Sequence, residues 1–232
     1  MAADHLSEQL DRRVPVALLY TALAAALLGQ YGQLPVVLLH LPSGWRSAHI
    51  QLSVRALWAA IHVVFYVLIP LLLARAHGVG ARELGLRLGT TWQQLWLVAG
   101  VAAVALPVIL VIARTAGFVS AYPLYRPGRA EALATGLWLV VFASYLFSIE
   151  LFFRGFLSAM LTPALGRYAI VVALGPYVAT HSYLPEALGA IPVGLLLAVW
   201  RLRSGSLWPG YLAHLLVALE IELIAQWRHG LL

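Results

Sequence analysis

Five side chains hold most of the chemistry that this sequence offers within its apolar runs. Glu150 and Arg154 lie four residues apart in "SIELFFRGFL", and His181, His214 and Glu222 follow in later apolar segments. An ionisable group at membrane depth costs about 2.5–3.5 kcal/mol on insertion scales, so each needs a reason to be there. One reason is structural. Glu150 precedes Arg154 at i, i+4, the favourable order for a helical ion pair, and the two can neutralise each other and pin their helix. The other reason is catalytic. A carboxylate and an imidazole can activate a water, while a second imidazole and a guanidinium can donate to a developing oxyanion, which together are the requirements of peptide hydrolysis. No cofactor is favoured. The alternative is zinc or another divalent metal held by Glu150, His181 and His214 from three helices, with an open fourth position; no HExxH motif is present to place two histidines on one helical face.

The composition requires a membrane setting for these groups. The 232-residue chain is 62% hydrophobic and 10% charged, against about 25% charged in an average soluble domain. It reads as a polytopic membrane protein. Its net charge of +6 comes from arginine alone, with no lysine. These arginines stand singly in short loops, which is a membrane-protein pattern and excludes a nucleic-acid surface. The absence of cysteine excludes disulfides, thiolate metal sites and a cysteine nucleophile. Arginine without lysine, in a chain rich in Ala, Leu and Gly, points to a GC-rich bacterial genome and hence to a bacterial inner membrane. The acidic head "MAADHLSEQLDRR" argues against a signal peptide.

Elements that position the five residues follow from apolar length. A span needs about 20 apolar residues. The sequence predicts an all-α bundle of about seven spans, near 14–31, 51–76, 91–113, 133–159, 168–184, 187–201 and 207–227, forming one membrane-embedded domain over 1–232. The segment Ala187–Arg201 is short, so it is expected to be tilted, broken or enclosed. "QLPVVLLHLP" (33–42), with His40, is too short to span and reads as interfacial or re-entrant. Arg55 and His62 add polar groups to the second span. The connection 115–133 carries Pro and Gly that argue against helix, and it reads as a connector or as a cover for a cavity mouth. Trp45, Trp92, Trp208 and Trp227 sit near span ends, as belt residues do.

Depth and helical angle then sort the candidates. From a rise of about 1.5 Å per residue, Glu150, His181, His214 and Glu222 reach overlapping depths, so they are expected to share one cavity. On the last helix Glu222 lies about 80° from His214 while Glu220 points away. Glu222 is therefore the expected partner of His181, unless it simply reaches interfacial water.

These residues resemble the motifs of the CAAX-protease and bacteriocin-processing (CPBP) family of intramembrane peptidases. "IELFFRG" resembles its Glu-Glu-x-x-x-Arg motif, with Glu150, Phe153, Arg154 and Gly155 in place. "YVATH" (Tyr177–His181) resembles Phe-x-x-x-His, and "HLLVA" (His214–Ala218), after "RSGSLWPGYLAH", resembles His-x-x-x-Asn. "ARELGLRLG" (81–89) ahead of the third span is also family-like. The resemblance covers about 81–225. It departs at Ile149, where the family has the Glu that activates water with the first His, and at Ala218, where the family has the Asn that joins the second His at the oxyanion.

The resemblance implies an intramembrane endopeptidase, glutamic-type or metal-dependent, with Glu150, His181, His214, Arg154 and Glu222 as its candidate catalytic residues. Its partners would be membrane lipid and a membrane-associated protein or peptide substrate. The two departures keep a second reading open: a catalytically inactive relative that binds a partner's transmembrane segment or a hydrophobic peptide, as an adaptor or immunity factor. A small transporter is disfavoured, because no inverted repeat is present.

Overall fold

The computed structural model describes residues 2–32, 48–87, 91–126, 132–181 and 184–231. Among them it is all-α: α1 (Ala2–Tyr31), α2 (Ala48–Val63), a π-turn (Val64–Leu68), α3 (Ile69–Ala76), α4 (Trp92–Ile112), α5 (Ala116–Ala121), α6 (Ala132–Glu150), a second π-turn (Leu151–Phe156), α7 (Leu157–Leu165), α8 (Tyr168–Ala179), α9 (Leu184–Ser204) and α10 (Trp208–Arg228). Six segments of the described residues are long and apolar enough to cross a membrane: Arg12–Tyr31, Ile50–Ala76, Trp92–Ile112, Leu133–Leu165, Leu184–Ser204 and Trp208–Arg228. The expected segment 33–42 with His40, and Trp45, lie outside the described residues.

Two span boundaries differ from the sequence reading. The stretch read as 168–184 is helical only to Ala179, and 12 residues reach about 18 Å, short of the roughly 30 Å hydrocarbon core. It stops because two side chains compete for one backbone acceptor. Thr180 Oγ1 donates to the Tyr177 carbonyl at 2.7 Å, and His181 Nδ1 reaches the same oxygen at 3.1 Å. The stretch read as short, Ala187–Arg201, is a full 21-residue helix beginning at Leu184. Pro185 and Glu186, which read as loop, form its first turn, where proline is tolerated. The 115–133 connection also contains one helix, α5, started by Thr115 Oγ1 accepting from Phe118 N at 3.3 Å.

The core is aromatic where the π-turns meet. All six residues of the second π-turn are buried, and Tyr66 of the first stacks on Phe152 of the second, with ring centroids 4.6 Å apart. Such turns insert an extra residue into a helix and are frequent at functional sites. Here the second one immediately follows Glu150 and carries Arg154.

One end of the bundle is tied by backbone contacts. Leu207 N donates to Gly85 O at 2.8 Å, and Arg201 Nη2 donates to the Glu83 carbonyl. Gly85 has φ +77°, and a Cβ there would run into the Arg201 guanidinium. The glycine of the Phe-Arg-Gly run serves the same junction: a Cβ on Gly155 would lie 3.0 Å from the Leu84 carbonyl. The 79–87 segment is thus a structural clasp holding the second π-turn and the α9–α10 corner. Arg13 adds α1 to this end by donating to the His77 carbonyl at 2.7 Å.

Candidate active site

Glu150 is the centre of the site. It is fully buried where α6 passes into the π-turn. Its Oε1 accepts from Arg154 Nη1 at 3.0 Å and from His214 Nδ1 at 2.7 Å. A carboxylate only accepts, so His214 carries its proton on Nδ1 and its Nε2 is turned away from the carboxylate. Oε2 has no hydrogen-bond partner. It lies 3.9 Å from where a Cβ of Gly210 would be, so the lack of a side chain at Gly210 leaves space beside it.

Arg154 is fixed from two sides. Besides Glu150, it lies over the Tyr177 ring, with Cζ 3.8 Å from the centroid, a cation–π contact in a desolvated place. Its Nη2 has no hydrogen-bond partner, and the residue lines a small cavity together with Ser158, Ala173, Tyr177 and Gly194, with room for about one water. Gly194 makes this fit possible. A Cβ there would lie 2.8 Å from Leu174 Cδ1 and 2.9 Å from Tyr177 Cε1.

The Tyr177 ring joins the two histidines. It meets His181 edge-on at 5.1 Å and His214 edge-on at 6.3 Å. His181 Nδ1 donates to the Tyr177 carbonyl, so its Nε2 holds the free lone pair. The sequence reading treated Tyr177 only as an aromatic match, and the structure makes it the common wall of the site. The structure therefore brings Glu150, Arg154 and His214 into direct contact, with His181 reached across Tyr177.

Glu222 is placed elsewhere. The expected contact with His181 is not made. Glu222 accepts from Leu124 N at 2.9 Å, Tyr125 N at 3.1 Å and Trp138 Nε1 at 3.1 Å. A carboxylate that collects two backbone amides from one connection is an anchor for that connection. The shared-cavity expectation fails for Glu222 because the 115–133 connection offers backbone donors that no apolar count could reveal. Glu220 is partly buried.

The residues that depart from the family motif are packed, not exposed to the site. Ile149 belongs to the core cluster around Tyr66, Phe152 and Phe153, and Ala218 packs on the cluster of Trp58 and Trp138. Among the described residues no three metal-ligating side chains converge. His181 Nδ1 contacts a carbonyl and His214 Nδ1 contacts Glu150 itself, and no step is derived through an ion.

One carboxylate escaped the sequence reading. Glu186 stands in the first turn of α9, five residues beyond His181. Drawing the span from Ala187 hid it; a helix boundary at the Leu-Pro-Glu sequence would have placed it beside the second motif.

Residues 131–219 match the family model of type II CAAX prenyl endopeptidase Rce1-like proteins, which supports membership of the CPBP family that the motifs resemble. The matched stretch contains Glu150, Arg154, His181 and His214, and it ends before Glu222. No curated protein and no solved structure matches the chain.

Proposed function

We propose that this chain is an intramembrane endopeptidase of the CAAX-protease type, hydrolysing a peptide bond of a membrane-associated protein or peptide in a bacterial inner membrane. The observation that carries this reading is the buried Glu150 carboxylate tied through one oxygen to both Arg154 and His214, with a second imidazole, His181, on the far side of the Tyr177 ring. In this reading His181 Nε2 takes a proton from water as the water oxygen bonds to the scissile carbonyl carbon. His214, as an imidazolium whose Nδ1–H is held by Glu150, donates its Nε2–H to the resulting oxyanion. Collapse of the tetrahedral intermediate breaks the C–N bond, and His181 returns its proton to the leaving nitrogen. Arg154 holds Glu150 in place and keeps its charge compensated. Glu222 stays outside this set and acts on the 115–133 connection.

The binding-only relative remains the second reading, favoured by one feature: Ile149 and Ala218 put apolar packing where the resemblance implies catalytic polar groups. A single experiment separates the two. A cleavage assay in membranes should compare wild type with His181→Ala and Glu150→Gln on lipidated and unlipidated hydrophobic peptides. Cleavage that both substitutions abolish supports the peptidase. Crosslinking of peptide to an uncleaving wild type supports the binder.

A further inference from the structure

Glu150 is bound through one oxygen only. Arg154 and His214 both meet Oε1, while Oε2 has no protein partner although the residue is fully buried. A buried carboxylate with one oxygen unmet is costly, so the surroundings of Oε2 need an explanation. Two helices set them. Gly210 of α10 and Leu197 of α9 are both buried. A Cβ built on Gly210 would stand 3.9 Å from Oε2, 3.8 Å from Leu197 Cδ2 and 3.9 Å from Leu197 Cβ. These are ordinary van der Waals distances, so the glycine leaves a methyl-sized space with Oε2 on one side of it and Leu197 on another.

A second polar group belongs to Gly210 itself. Helix α10 begins at Trp208, and the first bond of its ladder runs from Tyr211 N to Leu207 O at 3.0 Å. The amides ahead of Tyr211 have no carbonyl of the helix to bond. Ser206 Oγ accepts from Trp208 N at 3.3 Å, and Pro209 has no N–H. Gly210 N–H is the donor left over at this end. Amides of a first turn point outward along the axis, and Cβ positions lean the same way, so this N–H faces the side where the space lies. His214 stands four residues on, one turn along the same face.

We propose that the space holds one ordered water, which accepts from Gly210 N–H and donates to Glu150 Oε2. Water suits the site. It is about the size of a methyl group, it accepts and donates at once, and it brings no charge to oppose the carboxylate. A buried water takes about 2–4 polar partners, and the amide and the carboxylate supply the first two. Helix α10 then grips Glu150 on both oxygens: His214 holds Oε1, and the positive end of the helix, acting through the water, holds Oε2. The carboxylate cannot rotate, and Oε1 stays aligned on His214 Nδ1. Gly210 is thus a positioning residue. Its catalytic consequence rests on the peptidase reading, and the water site does not.

The test compares Gly210→Ala and Gly210→Ser with wild type, as full chains in lipid nanodiscs. Alanine fits the space and is the better helix former, so a dry space predicts a raised midpoint of thermal unfolding. A water site predicts the reverse. The methyl displaces the water, the midpoint falls, and kcat falls about tenfold, the rate equivalent of a weak hydrogen bond to a charged group. Gly210→Ser should recover both, because its hydroxyl can donate to Oε2 in the water's place. Water-edited NMR of labelled glutamate carboxyls adds a readout without activity, with Glu150 identified by transfer to the His214 ring nitrogen 2.7 Å away. Its carboxyl should receive water magnetisation in wild type and lose it in Gly210→Ala. An alanine variant at or above the wild-type midpoint overturns the proposal, as does equal damage from alanine and serine. A wild-type Glu150 signal without water transfer overturns it even if neither variant folds. A wild type that cleaves nothing removes the peptidase reading and leaves the unfolding and NMR results standing.

Discussion

His214 Nδ1 and Arg154 Nη1 meet on a single oxygen, Oε1 of Glu150, at 2.7 and 3.0 Å. One comes from 64 residues away and the other from one helical turn. This shared acceptor decides which substitutions stop chemistry and which undo the fold.

Glu150→Gln removes the charge that holds His214 as a donor. Cleavage should fall by at least about 100-fold, the lower range for a lost acid–base element. The rate is to be measured in proteoliposomes on protein whose retained fold is checked by circular dichroism. A variant that cleaves at the wild-type rate would take Glu150 out of the mechanism.

Arg154→Ala leaves a fully buried carboxylate with only His214 against it, and it opens the face of Tyr177. Breaking a buried pair by removing one partner costs about 3–5 kcal/mol. Thermal unfolding in detergent should show a large drop, and expression should suffer. Arg154→Lys should recover part of the stability, because a lysine keeps the charge without the planar contact to Tyr177.

Glu222→Gln and Glu220→Gln should part company. The amide at 222 turns an NH2 toward the donors Leu124 N, Tyr125 N or Trp138 Nε1, at a cost of about 1–3 kcal/mol for buried donors left unpaired. Limited proteolysis should cut the 115–133 connection faster in Glu222→Gln than in wild type or Glu220→Gln. Equal cutting in all three would show that Glu222 anchors nothing.

Gly194→Ala tests the close approach of α8 and α9. Leu174 Cδ1 can turn aside, but the Tyr177 ring is pressed against Arg154 and cannot. Overpacking of this kind costs about 1–3 kcal/mol, and the displaced ring should separate His181 from the Glu150–His214 pair. A lowered kcat together with a lowered midpoint of thermal unfolding is the expected result. Full activity at normal stability would show that the ring has room to move.

Much of this arrangement can be read from the residues themselves. An acid and a base at i, i+4 inside an apolar run announce Glu150 and Arg154, because burial forces them to pair. His181 and His214 stand out for the same reason of cost. Glu222 shows the limit: helical angle and depth paired it with His181, yet its partners are two backbone amides and the Trp138 indole, and backbone donors carry no sequence signal. Glu186 shows another. It sits at a helix start with proline before it, where an apolar-length criterion draws the boundary three residues too late. Tyr177 reads as one more aromatic among ten tyrosines; only the approach allowed by Gly194 makes it the wall between two imidazoles.

The i, i+4 spacing of Glu150 and Arg154 also bears on how the chain is made. The segment Leu133–Leu165 must enter the bilayer as it leaves the ribosome, before α10 exists. His214 is 64 residues downstream, and synthesis at about 5–20 residues per second puts its arrival roughly 3–13 s later. Through that interval Glu150 has no imidazole to share. Arg154 follows within a second, on the same turn of the same helix, and cancels the charge at once. The pair lets a carboxylate cross into lipid unaccompanied by its later partner, so a chain stalled before α10 should still hold this helix in the membrane, while one lacking Arg154 should release it.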